Sequence, residues 1–178
     1  MIRLILIISF LGPLTAGEIS DKAKDLIVRK MGAGSEFKFE KIYIKNIESQ
    51  KAEKMAGQRF FSDYFYGTAV VQNDSITGYA VIDNVKGKAM PITFIVLFNT
   101  DGIILQSDVL KYREAYGGEI SHPRWLSQFI GYNGSSAYKV GEDIDGISGA
   151  TISVRAMNSG IQKLALLFDE IKVELGND

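Results

Sequence analysis

The sequence predicts an α+β domain: an antiparallel sheet of hairpins packed by a long C-terminal helix and one or two smaller helices. Three observations carry this. Four β-rich runs follow one another between residues 64 and 110, joined by short turn-forming stretches rather than by helices. Residues 94–98, Phe-Ile-Val-Leu-Phe, are continuously apolar, the pattern of a central strand covered on both faces. After Thr151, the residues Val154, Met157, Ile161, Leu164, Phe168 and Ile171 mark one face of a helix running to about Leu175.

The elements follow in order. Ser20 is an N-cap candidate for a helix with Ala23, Leu26, Ile27 and Lys30 on one face, ended by Gly32-Ala-Gly34. Residues 36–47 alternate Phe37 and Phe39, then Ile42 and Ile44, which predicts one strand with a slip. Residues 50–58 are polar and read as a connection with a possible helical turn. Strands at 64–71 and 76–83 flank the hairpin signal Gln72-Asn-Asp-Ser75. A second pair, 91–99 and 103–110, turns around Asn99-Thr-Asp-Gly102. The stretch 111–120 mixes aromatic and charged residues with Gly117-Gly118 and reads as a loop. Pro123 opens a short helix to Ile130 with Trp125, Leu126 and Phe129 on one face, and His122 just before it reads as a surface or capping residue.

Composition narrows the chemistry. The 178 residues suit one domain of ordinary size, and a formal net charge of −1 with scattered Lys and Arg gives no case for nucleic acid. With no cysteine there is no disulfide, thiolate zinc site or iron–sulfur cluster, and one histidine excludes a His-rich metal site or bis-His haem. Redox chemistry would need an organic cofactor. Residues 1–17, with Arg3, an apolar run and then small residues, have the layout of a secretory signal peptide cleaved after Ala16 or Gly17, the alternatives being an uncleaved anchor or a buried core helix. That run is broken by Gly12-Pro13 and is shorter than the ~20 residues of a membrane span. The expected organisation is a signal segment 1–17, an N-terminal helix and strand extension 18–58, and a main domain 59–178.

The chemistry-bearing stretch is Asp143-Ile-Asp-Gly-Ile-Ser-Gly-Ala-Thr-Ile-Ser153. It lacks the Lys and the glycine spacing of a P-loop, and the fifth-position glycine of a nucleophile elbow. Ser148 to Thr151 fall at a helix start, where free N–H groups and the helix dipole favour an anion. Gly149 and Ala150 allow close approach to the backbone, and Thr151 presents a hydroxyl from the first turn. The stretch is therefore either a plain capped helix start or an anion-holding one.

Asp145-Gly-Ile-Ser-Gly-Ala-Thr-Ile-Ser153 resembles the Asp-x-x-(Ser/Thr)-Gly-Ala-Thr signature of the FMN-binding domain family. That family includes the C subunit of the sodium-pumping NADH:quinone oxidoreductase, the G subunit of the Rnf complex and the flavin domain of nitrous-oxide-reduction regulators. The likeness runs over roughly residues 64–172 in family order. It departs at Glu114-Ala-Tyr-Gly117, where Rnf-type members carry Glu-Thr-Pro-Gly, and leans toward the regulator-like branch.

The resemblance implies FMN esterified through its phosphate to Thr151, installed from FAD by a flavin transferase outside the cytoplasm. Asp145, Ser148, Gly149, Ala150 and Ser153 become recognition and phosphate-cradling residues. A flavin ring needs an apolar, partly aromatic slot, for which Tyr112, Tyr116 and Trp125 around Gly117 and Gly118 are the candidates, each aromatic equally readable as core; Glu114 reads either as a ring neighbour or only as a hydrogen-bond acceptor that fixes the loop. The implied role is an extracytoplasmic electron carrier with a membrane or periplasmic redox partner. The alternatives are a small flavin-dependent reductase of a soluble acceptor, or a non-redox exported binding module in which Thr151 only starts a helix.

Overall fold

The computed structural model describes residues 15–46 and 49–176. Its centre is an antiparallel sheet. Strands β1 (Glu36–Phe37) and β2 (Glu40–Tyr43) both pair with β3 (Tyr64–Gln72), followed by β4 (Ser75–Lys86), β5 (Pro91–Phe98) and β6 (Ile104–Lys111) in spatial order. Both expected hairpins form. Asn73 and Asp74 adopt left-handed φ of 48° and 60°, the geometry of a two-residue turn that follows the twist of its strands.

The apolar run of β5 is covered on both faces, as its composition predicts. Phe94, Val96 and Phe98 face one apolar cluster, while Ile95 and Leu97 face the other. Helix α1 (Thr15–Met31) covers the second face with Ala23, Leu26 and Ile27 against Val70, Ala80, Ile82 and Leu110. Helix α4 (Thr151–Leu166) covers the first through Val154, Met157, Ile161 and Leu164. Each such fully buried side chain contributes roughly 1.5–3 kcal/mol relative to exposure.

Several elements differ from expectation, each for a local reason. Helix α1 begins at Thr15, so Ser20 lies inside it rather than capping it; Glu18 ties the first turn to Lys22 at 3.3 Å and to Lys111 at 2.6 Å. The expected signal segment falls mostly on residues 1–14, outside the described residues. Among the described residues no helix is long and apolar enough to cross a membrane. The strand expected over 36–47 is two short strands and a 3-10 turn, Ile44–Asn46; at the break between the strands, the Lys38 amide donates to Thr68 Oγ1 at 3.0 Å. The polar connection contains a full helix, α2 (Ser49–Ala56), with Ala52 and Ala56 buried. The short helix after Pro123 is α3 (Pro123–Leu126) continued by a 3-10 turn, Ser127–Phe129.

The C-terminal helix is also two. At Leu167 the backbone departs from helix (φ −97°, ψ 5°) and α5 (Phe168–Leu175) starts on a new axis. The bend seats Phe168 against Tyr79 and Phe98, at ring distances of 5.5 and 5.2 Å. The apolar periodicity runs unbroken through this point, so the sequence pattern alone does not reveal the bend.

Candidate functional site

Helix α4 starts without a side-chain cap: its N-cap is Ala150, and the Val154 amide is the first to bond back, to the Ala150 carbonyl at 2.9 Å. Among the described residues the amides of Thr151, Ile152 and Ser153 have no partner, and the Thr151 hydroxyl makes no hydrogen bond. Such a helix start concentrates unpaired donors and the positive end of the helix dipole at one place. The preceding turn is closed by the Ala150 amide donating to Ile147 O at 3.1 Å. Gly149 sits in it at φ +82° with nothing within 4 Å of a would-be Cβ, so glycine is needed here for conformation rather than for room.

These residues form one wall of a cleft of about 520 Å³. The facing wall is built by the turn between β4 and β5, Lys88-Ala89-Met90, together with Arg113 to Gly117. Glu114 fastens that wall: its Oε1 accepts the Ala89 amide at 2.7 Å and the Met90 amide at 3.0 Å. The Met90 and Ala89 amides hold its carboxyl below the usual glutamate value. Arg113 is pinned by Nη1, which donates to Pro91 O and Thr93 Oγ1, each at 2.9 Å.

The two walls are tied together through Tyr112, which does not itself line the cleft. Tyr112 donates its hydroxyl to the Tyr116 carbonyl, and the same oxygen lies 3.0 Å from Ser153 Oγ. Gly117, at φ +85°, passes so close that a Cβ would meet the Tyr112 hydroxyl at 2.8 Å and Ser153 Oγ at 3.0 Å. Met90, Tyr116 and Ile152 are exposed apolar residues at the rim, Tyr116 to 86%.

Of the residues singled out in the sequence, the cleft gathers Glu114, Tyr116, Gly117, Gly149, Ala150, Thr151 and Ser153. Gly118, Asp145, Ser148 and Trp125 do not line it. Trp125 is buried at 5% exposure, edge-on to Phe129, and its indole N–H donates to the Asp145 carbonyl at 2.8 Å. Gln128 Oε1 accepts the Asp145 amide at 2.8 Å. Trp125 and Gln128 thus clamp the backbone of Asp145 from both sides and aim the signature loop. His122 caps α3, its Nδ1 accepting the Arg124 amide at 3.2 Å.

Lys88, Ala89, Met90, Arg113 and Ile152 line the cleft but were not found from sequence, and neither was Gln128 as a clamp. The Lys88-Ala-Met90 turn is more than sixty residues from Thr151 in the chain, and only the sheet brings them together.

Fold and cleft together define a class: a small α+β domain in which an uncapped helix start opens toward a hairpin turn of an antiparallel sheet. Residues 87–165 match the family model of the FMN-binding domain. The match takes in both walls of the cleft. The chain is similar in fold to Shewanella oneidensis NqrC, with a TM-score of 0.57 and 17% identity, covering 89% of this chain and 99% of that one. No curated protein matches the chain. The residues present fit FMN. Three unpaired amides and a free hydroxyl suit its phosphate, and the cleft lies in the size range of ligand sites.

Proposed function

We propose that this protein is an exported flavoprotein that holds FMN as a phosphoester on Thr151 and relays electrons outside the cytoplasmic membrane. The observation that carries this reading is the free, exposed Thr151 hydroxyl on the first turn of an uncapped helix, opening into a cleft. In the attachment step the Thr151 oxygen bonds to the FMN-side phosphorus of FAD. The bond from that phosphorus to AMP breaks, and the hydroxyl proton is lost as AMP departs. A flavin transferase supplies the catalysis. The amides of Thr151, Ile152 and Ser153 would hold the single negative charge of the resulting phosphodiester.

Once bound, the flavin accepts and releases one or two electrons. The chain's own residues bind and orient it. The signature loop is held by Trp125 and Gln128, the two walls are tied together by Tyr112 and Ser153, and the facing wall is fastened by Glu114. A carrier role is favoured over turnover of a separate substrate by the state of the cleft's ionisable groups. Glu114, the only carboxylate lining the cleft among the described residues, is committed to two backbone amides, and the one histidine, His122, lies outside the cleft and caps α3. The redox partner is a membrane or periplasmic component that meets the exposed rim. Export rests on the layout of residues 1–17.

The decisive experiment is co-expression with an active flavin transferase in an exporting host. The expected product has gained the mass of FMN less one water and fluoresces in a denaturing gel. Thr151→Val, which keeps the β-branched shape, is expected to lose the fluorescence while its unfolding midpoint stays within ~1 kcal/mol of wild type. A fluorescent Val variant would place the linkage elsewhere. Export predicts a mature N-terminus just after Ala16 or Gly17, read by N-terminal sequencing of the extracytoplasmic fraction.

A further inference from the structure

The cleft holds two cations, Lys88 and Arg113, and only one of them is fixed in place. Arg113 is half-buried and tethered through a single nitrogen to Pro91 O and Thr93 Oγ1; the Thr93 hydroxyl in turn donates to Asn84 Oδ1 at 2.7 Å. Among the described residues Nε and Nη2 of Arg113 have no partner, so a preorganised guanidinium keeps donors to spare. The phosphate has its own donors at the start of α4, on the opposite wall. Arg113 is therefore surplus to phosphate binding and available to a second anionic or carbonyl-rich group.

We propose that Arg113 is a positioning residue for the flavin ring, taking its pyrimidine edge, N1 and the C2 carbonyl, and thereby setting its reduction potential. This rests on the FMN reading above. The ring has one polar end and one apolar, dimethylbenzene end, and the cleft offers both chemistries: the Arg113 guanidinium and the exposed apolar Met90, Tyr116 and Ile152. The apolar edge then faces outward, toward an electron-exchange partner. In the two-electron-reduced, singly protonated flavin, Arg113 would face the negative charge that N1 and the C2 oxygen share. A fixed cation there favours the reduced form. The other ionisable groups on the cleft are Lys88, Glu114 and Tyr116; Glu114 is occupied by the Ala89 and Met90 amides.

The test is dithionite titration of flavin-loaded protein against reference dyes. Arg113→Gln is expected to shift the reduction equilibrium at least tenfold toward the oxidised form, about 30 mV for a two-electron couple. It is also expected to raise the pH at which reduction changes from taking up two protons to one. Arg113→Lys keeps most of the potential, and Lys88→Gln moves it far less. Thr93→Val retains the charge but removes one of the two tethers, leaving that to Pro91 O, and gives a value between wild type and Arg113→Gln. Unfolding midpoints of the unloaded variants separate a loss of sheet contacts from a loss of charge. A loaded Arg113→Gln protein with wild-type potential and wild-type pH profile overturns the proposal while leaving the cofactor reading intact. Wild-type protein that takes up no flavin overturns both.

Discussion

The two ends of helix α4 treat polar groups in opposite ways. At its start three backbone amides and the Thr151 hydroxyl are unpaired, and Thr151 and Ile152 are exposed. Three turns on, Lys163 is wholly buried, 3.4 Å from Asp83 on β4, over the Phe60 ring at 3.8 Å and donating to Arg59 O at 3.3 Å. Burial pushes the Asp83 carboxyl up and draws the Lys163 ammonium down. The contact is ionic rather than a formed hydrogen bond, since Asp83 Oδ2 accepts none. One end leaves its polar groups unpaired and accessible; the other packs its charges against each other away from water. The fold is anchored where the helix is closed, and binding capacity sits where it is open, so the two can be broken separately.

The largest effect is expected at the closed end. Lys163→Met leaves the Asp83 carboxyl buried without its counter-charge, which costs about 3–5 kcal/mol. Urea denaturation of the unloaded protein measures it. Adding Asp83→Leu removes the orphaned charge and is expected to restore most of the stability. If the single variant unfolds at the wild-type midpoint, the contrast between the two ends of the helix fails.

That contrast also shows what the sequence could reveal. The hairpins were legible because turn chemistry is local: Gln72 to Ser75 and Asn99 to Gly102 carry their own signals. The central strand was legible because Phe94 to Phe98 admits no solvent face. The open end of α4 was legible because glycine, serine and threonine stand together before an apolar stripe. The closed end was not. A lysine in a helix ordinarily reads as surface, and Lys163 is buried only because Asp83, eighty residues away, is set on the facing strand. The far wall of the cleft was hidden for the same reason. Arg113 and the Lys88-Ala-Met90 turn meet Thr151 only through sheet register, which periodicity does not encode. Trp125 was readable as a wall of the ring slot or as core; it is buried, and its N–H donates to the Asp145 carbonyl. The hydrogen-bond partner of an indole is not written in its helix face.

A smaller effect is expected at the open end. Gly149→Ala forces an L side chain into φ +82°, at a cost of roughly 1–2 kcal/mol, or relaxes the turn before Thr151. Either outcome misaligns the acceptor. The unloaded variant should lose no more than ~2 kcal/mol in urea while flavin incorporation, followed by in-gel fluorescence, falls markedly. Normal incorporation would show that the left-handed turn is not required to present the hydroxyl.

The smallest effect on the fold is expected from acid at Glu114, and it tests whether the facing wall belongs with the open end. Its carboxyl is held below the ordinary value of 4.5 chiefly by the Met90 amide, then by that of Ala89. A depressed folded-state value means the latch contributes in full above the unfolded value and is lost as pH falls through the depressed one. The amide resonances of Ala89 and Met90 should therefore titrate together, with a midpoint below 4.5. In Glu114→Gln the shared titration should disappear while the unfolding midpoint changes little, since the group lies near the surface. A midpoint at or above 4.5 would mean the carboxylate does not hold the turn, and the wall facing Thr151 would then need another fastening.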